Sequence, residues 1–263
     1  MLGKEEIDMF IYPKFKSGKQ EVTRVYGKTS PMLMNITVYK LQKEEEIELF
    51  EPGMETALLI LSGKIIVYYE DSQLQMEREG VFEELPTCLH VPKDTVLTVK
   101  AEKDSEILVQ STENERYFEP RVFTKNDIYK FTSCKDRWEG TAEREVIDII
   151  NIKNSPYSNM VLGEVIARQG RWWSYIPHHH AQPEVYYYKF KRPEGFGACF
   201  IGEKAYTVKE GSAGLFEGGK THAQVTAPGY PMYCCWMIRH LPGDPWDNTR
   251  TDDQRYSWLL EEK

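Results

Sequence analysis

Short runs of β-branched and aromatic residues recur along the chain between turn residues. The first half carries TALLILSG (56–63), KIIVYYED (64–71), TVLTVKAE (95–102) and EILVQST (106–112). The second half continues with MVLGEVIA (160–167), EVYYYKFK (184–191), GACFIGEKAYTV (197–208), AQVTA (223–227) and PMYCCWMI (231–238). Runs of this length and composition read as strands, and good helical candidates are few. REVIDIIN (144–151) fits either element, and its density of β-branched residues favours a strand. Many short strands without a long helix predict an all-β sandwich or barrel.

The pattern occurs twice. A strand region up to Gly63 leads to IIVYY, an acidic turn and VPKDTVLTV; later EVYYYKF leads to a Gly-rich turn, YTVKEG and FEGGKTHAQV. This predicts two copies of one β-barrel unit of about 100 residues each. The expected division is an N-terminal barrel over 1–125 and a C-terminal barrel over 126–263, with 113–143 as the connecting segment.

Length and charge narrow the function. With 263 residues, two cores can form without disulfide staples. A net charge of −8 argues against a nucleic-acid partner, and an acidic ligand would need local Lys, Arg or metal charge. The opening MLGKEEIDMF lacks the apolar core of a signal peptide, and no run is long enough to span a bilayer. Cys88, Cys134, Cys199, Cys234 and Cys235 are odd in number and form no CxxC pair. The expectation is a cytoplasmic protein with reduced, buried thiols and no membrane partner.

The candidate chemistry lies in SYIPHHHAQPEVYYYKF. Strand alternation puts His178 and His180 on one face and His179 on the other. After a turn at AQP, Glu184, Tyr186, Tyr188 and Phe190 share a face of the next strand. Two imidazoles and a carboxylate can therefore converge. A fourth group follows in GSAGLFEGGKTH (211–222), where glycines permit the tight turn that would swing His222 inward. The H-x-H-x3-E core and the G-x5-E-G-G-x2-H spacing resemble the two cupin motifs, and the expected fold is an all-β double cupin. Three imidazoles and one carboxylate, His178, His180, His222 and Glu184, suit a divalent metal such as Zn, Mn or Fe, with positions left for a substrate. The first half has Leu97 where a His would stand and no His before Gly63, so the metal site is expected only in the C-terminal barrel. His90 and His240 read as lone structural or surface residues.

These segments resemble the 5-deoxy-glucuronate isomerase family of bacterial inositol breakdown. The likeness runs through Gly170-Arg171-Trp172-Trp173-Ser174-Tyr175-Ile176-Pro177-His178-His179-His180, Glu184-Val185-Tyr186-Tyr187-Tyr188, YTVKEG (206–211) and Ala227-Pro228-Gly229-Tyr230. It is looser at Asp252-Asp253 with Trp258 and at Arg144. The chain departs from the family at Ala181, at Glu217 and at Trp236-Met237-Ile238-Arg239-His240 followed by LPGDPWDNTR (241–250), changes expected near the pocket mouth. The resemblance implies an aldose–ketose isomerisation of 5-deoxy-glucuronate to 2-deoxy-5-keto-gluconate, with the three-His, one-Glu metal site of the related 5-keto-4-deoxyuronate isomerases.

Moving a hydrogen between adjacent carbons needs a proton shuttle, for which Glu184, Tyr186 and Tyr188 are the candidates. A small sugar-acid substrate needs a cation for its carboxylate. Arg144, Arg168, Arg171 and Arg239 are available, and the family run adds Tyr175 to the substrate contacts. Two other classes compete: an iron dioxygenase, because the same ligands suit iron, and a non-catalytic sugar-binding cupin. Family habit implies pairing into a homodimer.

Overall fold

A computed structural model of the chain describes residues 7–261. The reading of the opening segment rests partly on residues 1–6, which lie outside the described residues. The chain is nearly all strand and divides into two compact units. No helix among the described residues is long and apolar enough to cross a membrane. No disulfide forms among them either; Cys88, Cys199, Cys234 and Cys235 are buried, and Cys134 is only half-buried.

One unit comprises Lys14–Ile128 and Ser155–Asn159. Its nine strands pair antiparallel throughout, around the long strand Met54–Tyr69. That strand pairs with four others, which it can do only by curling. Inside lie Leu58, Ile60, Ile65, Val67, Leu97, Val99 and Ile107. Leu97 is buried among aliphatic neighbours, as expected for a barrel without nitrogen ligands. His90 is fully buried, its Nε2 2.9 Å from Glu55 Oε2, and it packs on Phe118. This is a structural role.

The second unit gathers the described residues up to Pro13, Tyr129–Asn154 and those from Met160 on. A seven-stranded antiparallel sheet runs in the order Phe10–Ile11, Ala213–Phe216, Glu184–Phe190, Met232–Arg239, Met160–Ala167, Arg144–Ile150, Tyr129–Ser133. A five-stranded sheet runs Lys204–Lys209, Phe196–Ile201, His222–Thr226, Trp172–His179, Thr251–Asp252. The core draws Trp173, Cys199, Ile201 and Val208 from the smaller sheet, and Val161, Tyr188, Met232 and Ile238 from the larger.

Two boundaries differ from the sequence reading. The division at 125/126 put the whole chain start with the N-terminal barrel. Instead Phe10 pairs with Gly214, and its ring stacks on Tyr188 and Tyr206 at 5.9 and 5.4 Å. The described start of the chain thereby closes the edge of the C-terminal unit. Nor is 113–143 a bare connection. Arg121–Phe123 pairs with Cys88–Val91, and Tyr129–Ser133 pairs with Arg144–Ile150. Each of these two short strands pairs along the edge of a sheet.

Gly163 is needed for packing. A Cβ there would stand 2.3 Å from the Trp236 ring and 2.7 Å from the Ile147 carbonyl. Gly163→Ala is expected to destabilise the protein by about 1–3 kcal/mol through overpacking, read as a lower urea midpoint with an unchanged m value.

Candidate metal centre

Register brings the first two histidines together. His178 lies directly opposite His222 across the pairing of Trp172–His179 with His222–Thr226, and the two rings are 5.0 Å apart. Both are buried. Each ring is held by a backbone carbonyl two residues upstream: His178 Nδ1–H donates to Ile176 O at 2.8 Å, and His222 Nδ1–H donates to Lys220 O at 3.0 Å. These bonds fix the tautomer, so in the neutral ring Nε2 carries the lone pair.

His180 lies just past its strand, in the turn leading to Glu184, the first residue of Glu184–Phe190 in the other sheet. Glu184 Oε2 is 3.2 Å from His180 Nε2 and 3.3 Å from His222 Nε2. The glycines before His222 explain how the loop comes so close. Gly219 N donates to His180 O at 2.8 Å, and a Cβ on Gly218 would fall 1.9 Å from Ala181 O. Backbone rests on backbone there, and Gly219 also has a positive φ of 82°.

Burial works against the Glu184 carboxylate, but the imidazoles of His180 and His222 beside it outweigh burial and bring the carboxyl down to about 2. The carboxylate is therefore ionised. For His178, burial, then the charge of His222 and that of Arg250, hold the imidazole well below its ordinary value, so it is neutral.

These four side chains do not stand as a finished cage: among the described residues no group of three or more His, Cys, Asp or Glu is drawn close enough to hold a cation as it stands. The donor chemistry nevertheless fits one. Among the described residues no hydrogen bond is closed at the buried His222 Nε2, which faces Glu184 Oε2 at 3.3 Å. A positive charge shared by the two, whether a proton or a divalent cation, stabilises that approach.

Three of the four open on a cavity of about 220 Å³; His222 lines a separate one with Trp172 and Tyr175. His178, His180 and Glu184 form one wall with Tyr186 and Ser174; Trp173, Trp236 and Trp246 supply apolar surface; Arg144, Asp148, Asn248 and Arg250 supply polar groups. The Tyr186 hydroxyl is 3.0 Å from Ser174 Oγ, and burial and then the Glu184 charge push it well above its ordinary range, so it keeps its proton. Arg144 is 8% exposed; its Nη1 donates to Cys134 Sγ at 2.9 Å and to Ala142 O at 3.0 Å, and it forms no ion pair among the described residues. Arg250 is paired with Asp252 at 3.0 Å.

Several sequence-predicted residues fall elsewhere. Tyr188 shares the face of Glu184 but is closed off by Phe10 and Trp173, and it fills the core. Tyr175 lines a different cavity with Trp172, Phe200 and Tyr256. Arg168 is exposed and Arg171 lies against Gly140; a turn joins the two, Arg171 N donating to Arg168 O. Neither arginine lines the cavity with the histidines, and nor does Arg239. Sequence reasoning missed Asp148 altogether. It located LPGDPWDNTR at the mouth without singling out Trp246, whose ring lies 6.0 Å from that of His180.

Asp148 gives a pH signature. Burial raises its carboxyl to about 6, opposed by the Lys153 charge. A raised carboxyl favours the folded state at low pH, and that contribution is lost as pH rises from the ordinary value through about 6. Asp148→Asn should therefore gain stability over the parent as pH increases from 4 to 7, by about 1–2 kcal/mol after solvent screening, and level off above. Paired denaturant titrations across that range check it.

Comparison with known proteins places these features in context. The model of the KduI/IolB family matches residues 10–259. The chain is 25% identical to the 5-deoxy-glucuronate isomerase of Geobacillus thermodenitrificans (strain NG80-2), over 86% of each chain. It is 22% identical to the protein of that name from Bacillus subtilis (strain 168), over 79% of this chain and 80% of the relative. Among solved structures, an IolB-like protein from Salmonella typhimurium LT2 superposes with a TM-score of 0.86 at 20% identity, covering 96% of this chain and 99% of that one. Lactobacillus farciminis oxalate decarboxylase, in a formate complex, gives a TM-score of 0.67 at 12% identity, covering 97% and 91%. At these identities the two structures speak for the double-cupin fold alone.

Proposed function

The chain belongs to the KduI/IolB family, and from that premise we propose that it is a metal-dependent aldose–ketose isomerase of a deoxyuronate, with 5-deoxy-glucuronate to 2-deoxy-5-keto-gluconate as the favoured reaction. The observation that carries this reading is a coincidence in one cavity. His178, His180 and Glu184, with His222 packed behind them, face the same space as a buried guanidinium that has no carboxylate partner among the described residues.

His178, His180, Glu184 and His222 would hold the cation. When bound, it would supply positive charge where oxygen anion develops during the isomerisation. Arg144 takes the substrate carboxylate, exchanging a neutral thiol and a carbonyl for a charge-assisted pair. Glu184, ionised and engaged by two imidazoles, is poorly suited to be a free base. Tyr186 bears a proton at Oη beside the set, and its hydrogen bond with the Ser174 hydroxyl orients it as a donor to a substrate oxygen. Trp173, Trp236 and Trp246 keep bulk water from the reacting carbons.

The test is anaerobic incubation of protein reconstituted with Zn, Mn, Fe, Co or Ni with a panel of deoxy- and keto-uronates, followed by NMR. Interconversion of isomers without oxygen is the expected result. Binding without product would favour a sugar-binding cupin, and strict dependence on oxygen would favour an iron dioxygenase; either would overturn the isomerase reading.

A further inference from the structure

The strand Arg144–Ile150 sends a second polar side chain into the cavity. Arg144, Val146 and Asp148 alternate along it, and all three line the space in front of the histidines. At the usual rise per residue, the Cα atoms of Arg144 and Asp148 stand about 13 Å apart, too far for the two charges to pair. Beyond the backbone pairing of its strand, the Asp148 carboxyl forms no hydrogen bond and no ion pair among the described residues; Lys153 is the one charge that acts on it. A break in register between Asp148 and Ile150 marks a bulge, a device that re-aims a side chain. Asp148 is paired with Tyr129 on one side and with Gly163 on the other, where the Trp236 indole lies across the space a Cβ would fill. Asp148 is thus a partly buried acceptor, set beside an aromatic wall, with nothing donating to it.

A carboxylate in that condition gains most from O–H donors, because it has lost water without receiving a replacement. A polyhydroxylated acid offers such donors in the middle of its chain. With the carboxylate on Arg144 and the reacting carbons at the donor set, the remaining hydroxyls have Asp148 as their acceptor. We propose that Asp148 is a specificity-determining residue that accepts hydrogen bonds from substrate hydroxyls taking no part in the hydrogen transfer. The proposal rests on the isomerase reading for its substrate class, and its test does not require turnover.

The experiment compares metal-loaded parent, Asp148→Ala and Asp148→Asn. Each is titrated calorimetrically with 5-deoxy-glucuronate and with an analogue lacking one mid-chain hydroxyl, and each is assayed for isomerisation of both. The parent should prefer the fully hydroxylated acid by about tenfold or more, the usual worth of a hydrogen bond to a charged group. In Asp148→Ala the ratio of the two affinities should fall towards one, and in Asp148→Asn it should be intermediate. A merely structural role would weaken both ligands alike and leave the ratio unchanged, and that result would overturn the proposal. Melting curves identify a variant that fails to fold, in which case the parent and the isosteric Asn variant decide. Absence of turnover in the parent would sink the isomerase reading alone, since the affinity ratio still judges Asp148. Absence of binding by either acid would sink both.

Discussion

Glu184→Ala is expected to abolish isomerisation, by about three orders of magnitude or more, and to empty the cation site at the same time. Glu184 is the only anion of the four proposed donors, and its Oε2 lies within 3.3 Å of two imidazole nitrogens. Removing it leaves three imidazoles, a set that can hold zinc elsewhere, but here it takes away the only balancing charge and a fourth donor, so the ion should be held far more weakly and lost on dialysis. The cation lost with it is the positive charge proposed to face the developing oxygen anion, a contribution worth about 10²–10³ in rate for a single stabilising group elsewhere. Glu184→Gln separates charge from shape. It keeps the volume and one acceptor, so a purely steric role would leave activity largely intact; the present reading expects Gln to be nearly as damaging as Ala. Rate assays at saturating metal, with metal content measured on the same samples, distinguish the two.

Arg144→Met is expected to lower kcat/KM for an acidic substrate by about 10²–10³ while leaving the fold as stable as before or slightly more so. Truncating one partner of a buried charge pair costs about 2–5 kcal/mol of binding. The substrate carboxylate is that partner only when bound. In the unliganded protein the guanidinium has a thiol and a carbonyl instead, and burial, its largest influence, pulls it below its usual range. An unpaired buried cation costs stability, so an apolar side chain of similar length should relieve it. Arg144→Lys restores the charge but not the two-pronged geometry, and partial recovery, mainly in KM, is the outcome to look for. Loss of stability parallel to loss of activity would mean that Arg144 is a structural residue.

The meeting of His178, His180, Glu184 and His222 was legible in the sequence because its parts follow local rules. Strand alternation pairs His178 with His180, and one short turn separates them from Glu184. His222 is announced by its glycines, and the structure gives the reason: Gly218 sits where any Cβ would strike the Ala181 carbonyl. The division into two β units was legible from the repeated strand pattern. What escaped depends on contacts distant along the chain. Tyr188 obeys the same alternation as Glu184 and Tyr186, but Phe10, from the far end of the chain, covers it. Asp148 lies on a strand recognised as such, yet only the sheet order and the bulge after it turn its face to the cavity. Arg168 and Arg171 looked eligible because arginine near a histidine motif is attractive; they sit at the turn joining two strands. Arg144 was found by resemblance, and composition would not have separated it from the other arginines.

The most direct measurement is the metal content of the purified, metal-reconstituted chain by elemental mass spectrometry, set beside that of His178→Ala, Glu184→Ala and His222→Ala after identical treatment. One divalent ion per parent chain, with a large loss in each variant, is the expected result. A parent chain that retains no ion, or variants that retain it undiminished, would contradict the account.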